Sequence, residues 1–286
     1  MTTQEPETTF DTSAAGLLGR IGSRAGDRLG RIRPYGPRTA GREAASPTLI
    51  AVGHGSRDPR AAATLRLLLD RVRELRPGLD VRLAHIEIDA PLLTDTLAGL
   101  SGDAVLVPLL FARGHHVKHD LPAAAAAAPG IRARIAAPLG PHPLLVEALA
   151  DRLAEAGWTA EDGASPSTGV VLASAGSRDP QSGADTRRLA ALLGERLGGV
   201  PVVAAYASAA APTVPEAIRA LAARGRHRIA VASCFTAPGL FATRSAAHAP
   251  WIAATPLGAH PALARLVLHR YDQARTRTPQ RELAAI

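Results

Sequence analysis

The chain has 286 residues, 47% of them hydrophobic but only 3% aromatic, and carries a formal net charge of +8. This length favours two domains, the single cysteine Cys234 excludes an internal disulfide framework, and no apolar run reaches the ~18–20 residues that cross a bilayer. The positive charge favours an anionic small molecule over nucleic acid, because basic runs with interleaved aromatic residues and zinc-finger spacing are both missing from the sequence.

Residues 1–46 are rich in Thr, Ser, Gly, Pro and Arg and show no sustained helical or alternating period. We predict that they form a disordered tail. They also lack the basic region and apolar core of a signal peptide. We therefore expect a cytoplasmic protein without a membrane partner, in which Cys234 is a buried thiol.

Apolar runs and helical periods alternate through the first predicted domain, residues 47–163. We predict strands at Thr48–Gly53, 81–88, 104–111 and 131–136. We predict helices at 58–76, 91–100, 117–128 and 144–156. A segment rich in Gly, Ser and Pro, residues 161–168, is predicted to be a linker.

The second predicted domain, residues 164–275, gives the same eight elements, and residues 276–286 form a predicted C-terminal tail. Strands that alternate with helices indicate parallel β-α-β units. The predicted fold is therefore α/β, with two tandem Rossmann-like three-layer α/β/α domains that contain parallel sheets and arose by internal duplication.

The duplication is visible in the sequence itself. Leu-Ile-Ala-Val-Gly-His-Gly-Ser-Arg-Asp-Pro (49–59) returns as Val-Leu-Ala-Ser-Ala-Gly-Ser-Arg-Asp-Pro (171–180). Ala-Pro-Leu-Gly-Pro-His-Pro-Leu-Leu (137–145) returns as Thr-Pro-Leu-Gly-Ala-His-Pro-Ala-Leu (255–263). Because His142 and His260 are retained in both copies, we expect them to share a structural role.

Three titratable residues are not retained. His54, Glu87 and His116 of the first copy stand opposite Ala175, Ser208 and Phe241 of the second. The second copy thus keeps the residues of the turns but lacks these three side chains. This difference indicates that the turns serve the fold, whereas the three side chains serve the function. We therefore predict that His54, Glu87 and His116 are catalytic residues.

The predicted topology brings these residues to one place. His54 follows the first strand, Glu87 ends the second, and Gly114-His115-His116 follows the third. Ligands of parallel sheets bind beyond the carboxyl ends of the strands. We predict that His54, Glu87, His116 and the neighbouring His115 bind a metal. An alternative metal pair is His115 with His119, four residues on along one helical face.

Basic and small residues around these turns are candidate contacts for the bound molecule. Arg113 and Lys118 flank the histidines and are expected to bind a substrate carboxylate, whereas His85 is expected to be packed inside a strand. Arg57 and Arg178 occur in both copies, which favours either pairing with a neighbouring Asp or a shared anion contact. The full predicted binding set is Ser56, Arg57, Arg113, Gly114, Lys118 and Arg178.

The first copy resembles the sirohydrochlorin chelatases of the CbiX/SirB type. The resemblance rests on the His-Gly-Ser-Arg turn at His54, on Glu87 with Pro91, and on Val-Pro-Leu-Leu-Phe-Ala-Arg-Gly-His-His-Val-Lys-His-Asp-Leu-Pro (107–122). It covers roughly residues 48–155 and, in degenerate form, 169–272. One departure is His115, because this family usually has another residue between the glycine and the histidine.

The resemblance implies a class II chelatase fold and insertion of Co²⁺ or Fe²⁺ into sirohydrochlorin, a tetrapyrrole polycarboxylate, in siroheme or cobalamin biosynthesis. It maps the two active-site histidines onto His54 and His116. The metal is then a substrate, no permanently bound cofactor is expected, and the chain is expected to be a monomer with two pseudo-symmetric halves.

Two alternatives stay open from the sequence. Val-Gly-His-Gly is similar to the Arg-His-Gly motif of histidine phosphatases, with Gly53 in place of the arginine, and would use His54 for phosphotransfer. The second alternative is a metal or tetrapyrrole carrier without enzymatic activity, which would bind its ligand stoichiometrically.

Overall fold

The computed structural model describes residues 46–276. Apart from Ser46 and Thr276, the predicted tails 1–46 and 276–286 lie outside the described residues. Among the described helices, none combines the length and the apolar character needed to cross a membrane.

The first sheet is parallel and contains four strands in the order β2-β1-β3-β4. The strands are β1 (Thr48–Gly53), β2 (Val81–His85), β3 (Gly102–Pro108) and β4 (Ile131–Ile135). Parallel neighbours need crossover connections, which are α1 (Pro59–Leu75), α2 (Leu93–Ala98) and α3 (Leu121–Ala126). The central strands β1 and β3 are buried because helices cover both faces, as their continuous apolar runs predict.

The second sheet is also parallel but has three strands, in the order β6-β5-β7. These are β5 (Thr168–Ser174), β6 (Val202–Tyr206) and β7 (Arg228–Ser233). The predicted fourth strand is reduced to one bridge, in which Val231 exchanges hydrogen bonds with Ile252 and Ala254. Pro250 and Pro256 flank this short run and offer no N–H group to extend the ladder.

The helices of the second part are α6 (Pro180–Arg196), α7 (Val214–Ala222), α8 (Leu240–Ala247) and α9 (Pro261–Thr276). With two parallel sheets in repeated β-α order, the predicted α/β fold class is confirmed.

The last helix of each half packs on the other half. Helix α4 (Pro143–Glu155) ends the first half but contacts α6 and β7, whereas α9 ends the second half but contacts α1, β3 and β4. One continuous apolar core therefore contains residues from both halves. Arg76, directly after α1, and Asp272 of α9 add an ion pair with Nη2–Oδ2 at 2.8 Å.

The repeated histidines have the structural role that the sequence predicts. His142 Nδ1 accepts a hydrogen bond from the backbone N–H of Leu144 at 3.1 Å, and His260 Nδ1 accepts one from Ala262 at 3.2 Å. Each imidazole thus satisfies an N–H group at the start of an exchanged helix, α4 or α9, as an N-cap residue does.

The predicted linker 161–168 is wrong in part, because residues 160–164 form the short helix α5 (Ala160–Ala164). Thr159 and Asp162 make a capping box around its first turn, with Thr159 N donating to Asp162 Oδ2 at 2.9 Å. The buried Asp162 also accepts from Arg228 of β7 at 2.9 Å. The Thr-x-x-Asp signature was present in the sequence and outweighs the Gly and Ser content of this segment.

Candidate active site

The turn after β1 lies directly against the segment after β2. Glu87 N donates to His54 O at 3.0 Å, and a Cβ on Gly55 would come within 1.8 Å of Glu87 O. Gly55 also has φ of +106°, so no other residue fits this position. The close approach places His54 Nε2 3.2 Å from Glu87 Oε1, with both side chains about half exposed.

The predicted strand 81–88 ends early because this segment turns away from the sheet. Beyond His85 the chain passes through a positive φ of 72° at Ile88 and a cis bond before Pro91. His85 itself is buried, as predicted, and burial lowers its pKa. Neither ring nitrogen of His85 has a hydrogen-bond partner among the described residues.

The second histidine comes from a π-helical segment, His116–Asp120, where a regular helix was predicted from residue 117. The His116 ring meets the His54 ring edge to face, with centroids 4.8 Å apart. Wider π turns are frequent at functional sites, and here the turn brings Asp120 Oδ2 to 2.5 Å from His116 Nδ1. With Nδ1 engaged, Nε2 is the nitrogen of His116 that is left for a ligand or a proton.

Asp120 is the functional candidate that sequence reasoning missed. Its carboxylate lies against His116 and is also 3.6 Å, at Oδ1, from His115 Nε2. The spacing of four residues between His116 and Asp120 was the available signal, since such residues share one helical face.

The structure brings together three of the four predicted metal ligands in pairs. His54 contacts both Glu87 and His116, but His115 turns away toward His119, with ring centroids 4.7 Å apart and a side chain that is 72% exposed. Within residues 46–276, no three His, Cys, Asp or Glu side chains are arranged to hold a metal ion together. A tight resident metal site is therefore not preformed in this part of the chain.

Two of the predicted binding residues are engaged by carboxylates of the second half. Arg113 Nη2 lies 2.6 Å from Asp185 Oδ1, and Lys118 Nζ lies 2.5 Å from Asp179 Oδ2. Burial raises the pKa of Asp185, but the hydrogen bonds from Arg113 outweigh it and lower the pKa overall. The hydrogen bond from Lys118 likewise lowers the pKa of Asp179.

The other predicted binding residues remain accessible at the rim or face the opposite half. Arg57 and Arg178 are exposed, and neither makes an ion pair with a described residue. Ser56 N donates to Asp89 Oδ2 at 2.9 Å. A Cβ on Gly114 would lie 3.4 Å from Ser177 Oγ, which shows how closely residues 113–120, here called the histidine segment, approach the second half.

The two halves meet around these turns in a pseudo-symmetric way. Just as Gly114 faces Ser177, a Cβ on Gly239 would lie 3.4 Å from Ser56 Oγ. Ser56 and Ser177 are matched by the repeat, and so are Gly114 and Gly239. Each Ser turn of one half therefore faces the Gly turn of the other half.

The matching edge of the second sheet has the same backbone arrangement as the site but lacks its titratable side chains. Ser208 N donates to Ala175 O at 3.0 Å, as Glu87 does to His54, and Gly176 approaches Ser208 O as Gly55 approaches Glu87. The hydroxyl of Ser208 donates to Ala175 O at 3.0 Å. The alignment of His54 with Ala175 and of Glu87 with Ser208 thus holds in three dimensions.

Cys234 lies apart from this chemistry. It is buried, and burial raises the pKa of its thiol to about 12. A thiol with such a pKa is protonated at neutral pH and is a poor nucleophile or metal ligand, as the apolar run around it predicts.

Comparison with known proteins identifies the relatives of this arrangement. The CbiX family model matches residues 48–156 and again residues 169–274. The sirohydrochlorin cobaltochelatase of Priestia megaterium is 26% identical over 205 residues, which cover 69% of this chain and 66% of that protein. The sirohydrochlorin ferrochelatase of Bacillus subtilis is 27% identical over 176 residues, or 59% of this chain and 66% of that protein. The chain thus spans slightly less than two thirds of the length of these relatives.

A solved structure shows the same fold. SirB from Bacillus subtilis with Fe³⁺ superposes with a TM-score of 0.64 at 22% identity, over 81% of this chain and 96% of that one. The similarity extends through both sheets, so both halves of the described chain share the architecture of that protein.

Proposed function

Because the chain belongs to the CbiX family, we propose that it is a sirohydrochlorin chelatase that inserts Co²⁺ or Fe²⁺ into the tetrapyrrole. The two relatives named above are a cobaltochelatase and a ferrochelatase for sirohydrochlorin. Both metals are therefore candidates, and the product is siroheme with iron or a cobalt-containing precursor of cobalamin with cobalt.

The observation that supports this proposal best is the pair of imidazoles, each with its own carboxylate. His54 lies against Glu87 at 3.2 Å, and His116 lies against Asp120 at 2.5 Å, with the two rings in contact. Insertion of a divalent metal into a free-base tetrapyrrole releases two pyrrole protons. Two imidazole–carboxylate pairs provide one proton acceptor for each of them.

In this proposal the carboxylates stabilise the imidazolium ions that form. Both ring nitrogens of His54 face oxygen atoms, Nδ1 at 3.3 Å from Gly55 O and Nε2 at 3.2 Å from Glu87 Oε1, so a protonated ring can donate to both. Asp120 holds Nδ1 of His116 and leaves Nε2 to accept a proton or to pass on the metal.

The incoming metal is a substrate and must be released into the macrocycle. Imidazole nitrogens and a carboxylate suit Co²⁺ and Fe²⁺, but the described residues do not enclose a preformed metal site. Ligands that are half exposed and meet in pairs can bind an ion and then exchange it. We therefore propose His54, Glu87 and His116 as transient metal ligands, without a permanently bound cofactor.

The substrate carboxylates are proposed to bind at the rim of the site. Arg57 and Arg178 are the predicted basic residues that are exposed and not paired with described residues. Ser56 and Gly114 lie where the two halves meet. A monomer would then supply both walls of one site, with chemistry on the first half only.

The test is anaerobic incubation of the chain with sirohydrochlorin and either Co²⁺ or Fe²⁺, followed by absorption spectroscopy. We expect conversion of many equivalents of tetrapyrrole per chain, faster with one of the two metals. Conversion that stops at one equivalent identifies a carrier and contradicts the proposal. His54→Ala is the matched inactive control.

A further inference from the structure

Ile88 has a backbone conformation that is unfavourable for its side chain. Its φ is 72°, in the left-handed region, where a β-branched residue is a genuine outlier. Its side chain is also 54% exposed, so the fold gains little burial from it. A small residue or glycine at this position would cost the fold less.

The second half shows that the turn does not need this side chain. Ala209 occupies the matching position with φ of 57°. The neighbouring hydrogen bonds agree as well, from Asp89 N to Glu87 O at 2.8 Å and from Ala210 N to Ser208 O at 2.7 Å. The left-handed backbone is thus common to both halves, whereas the large apolar side chain is present only beside Glu87.

Two more exposed apolar residues lie beside the same site on the second half. Leu240 is 60% exposed and Phe241 is 38% exposed, and both directly follow Gly239, which faces Ser56. In the described part of the chain, the exposed large apolar residues are Leu67, Leu75, Ile88, Leu92, Leu240 and Phe241. Three of these six residues, Ile88, Leu240 and Phe241, therefore adjoin the turns at which the two halves of the chain meet.

We propose that Ile88 from the first half, with Leu240 and Phe241 from the second, contacts the apolar faces of the tetrapyrrole macrocycle. The proposal rests on the proposed chelatase function and extends it to specificity. A planar macrocycle with carboxylates on its rim presents apolar faces, which gain free energy from burial against aliphatic and aromatic side chains. Residues held in sparsely populated backbone regions cluster at active sites and ligand clamps, which agrees with a ligand contact for Ile88.

The experiment measures KM and kcat for sirohydrochlorin with Co²⁺, and the midpoint of thermal unfolding, in three variants. Ile88→Ala removes the apolar contact from the first half. Leu240→Ala/Phe241→Ala removes the apolar contacts from the second half. Leu67→Ala is the matched control, because Leu67 is an exposed apolar residue on α1. Direct titration of each variant with metal-free sirohydrochlorin gives the dissociation constant independently of turnover.

For Ile88→Ala we expect KM and the dissociation constant to rise about tenfold, from the loss of one apolar contact. We expect kcat to change much less and the unfolding midpoint not to fall. The double variant should also raise KM, and Leu67→Ala should not. An unchanged KM in either site variant contradicts the assignment of the residues that it replaces.

The wild-type chain separates this inference from the function on which it rests. A wild-type chain that neither binds nor converts sirohydrochlorin overturns both. A wild-type chain that converts it, with Ile88→Ala indistinguishable from Leu67→Ala, overturns the apolar contact alone. A fall in the unfolding midpoint of Ile88→Ala without a change in KM would show that the side chain serves the fold.

Discussion

Arg113 of the histidine segment donates three hydrogen bonds to Asp185 of α6, from its backbone N at 3.2 Å, from Nε at 2.9 Å and from Nη2 at 2.6 Å. The Asp185 side chain is only 4% exposed. Lys118, on the other side of His116, is paired with Asp179 at the start of the same helix. The second half, which lacks the imidazoles of the site, therefore anchors the segment that carries His116.

We predict that Asp185→Asn lowers kcat by about tenfold or more, because the segment that positions His116 loses its charged anchor. KM for sirohydrochlorin should change less. Steady-state kinetics with the unfolding midpoint as a second readout measures this effect. The control is Asp103→Asn, which removes a comparable but exposed ion pair with Arg132, at 2.8 Å. Equal effects of the two substitutions would contradict a positioning role.

His54→Ala should abolish metal insertion and leave the fold intact. The second half already carries Ala175 on the same backbone. Activity is measured by the absorption change of sirohydrochlorin, and folding by circular dichroism. Near-normal turnover of a folded His54→Ala chain would refute the catalytic assignment.

His116→Ala should lower turnover far more than His115→Ala, since the His115 ring lies beside His119 rather than beside His54.

Asp120→Asn should lower kcat by roughly 10–100-fold, the range typical of residues that orient a ligating or proton-accepting imidazole. Asparagine can accept a hydrogen bond from His116 Nδ1 but cannot stabilise an imidazolium by charge. KM for sirohydrochlorin should change much less than kcat, because the substitution leaves the exposed residues proposed to bind the substrate carboxylates unchanged. His119→Ala, on the same segment, is the control, and an unchanged kcat in Asp120→Asn would count against the assignment.

The chain should lose stability as the pH falls from 6.5 toward 4. Burial, together with the charge of Arg270 and the nearby His269, lowers the pKa of His142 from 6.5 to about 4 in the folded chain. The unfolded chain binds the proton at the ordinary pKa, so between these values protons favour unfolding. Burial lowers the pKa of His260 as well.

The measurement is the free energy of unfolding by denaturant between pH 7.5 and 4.5. His142→Asn keeps a helix-capping acceptor but does not titrate, so its stability should fall less steeply with acid than that of the wild type. His142→Ala should be less stable than His142→Asn at every pH, by about 1 kcal/mol from the lost cap. Parallel curves for wild type and His142→Asn would disprove the linkage.

The sequence predicted those features that depend on local patterns and on the repeat. The strands before His54 and Gly114, the common edge of the sheet, and a shared structural role for His142 and His260 all follow from apolar runs and from comparison of the two copies. Asp120 was missed because a spacing of four residues places two side chains on one helical face without showing that they touch, and only the structure brings its carboxylate to 2.5 Å from His116 Nδ1. The pairing of Arg113 with Asp185 was also missed, since 72 residues separate them and only the tertiary structure brings them together.

The exchange of α4 and α9 was equally invisible in the sequence. An amphipathic helix shows an apolar stripe whichever sheet it covers, so its pattern does not say on which half it packs. The three-stranded second sheet has a similar cause. The apolar run around Ala253 predicts a full strand, but in the structure only one isolated bridge forms there.

The exchanged helices make each half incomplete without the other. If the chain were severed between Gly157 and Ser167, the first fragment would carry α4 and lack α9. The surfaces of α1 and β3 that α9 covers would then be exposed to water. Each fragment would then need the other to bury its apolar surface, and recovery of structure on mixing would depend on concentration. In the intact chain the same dependence becomes intramolecular, so both halves should melt in a single cooperative transition.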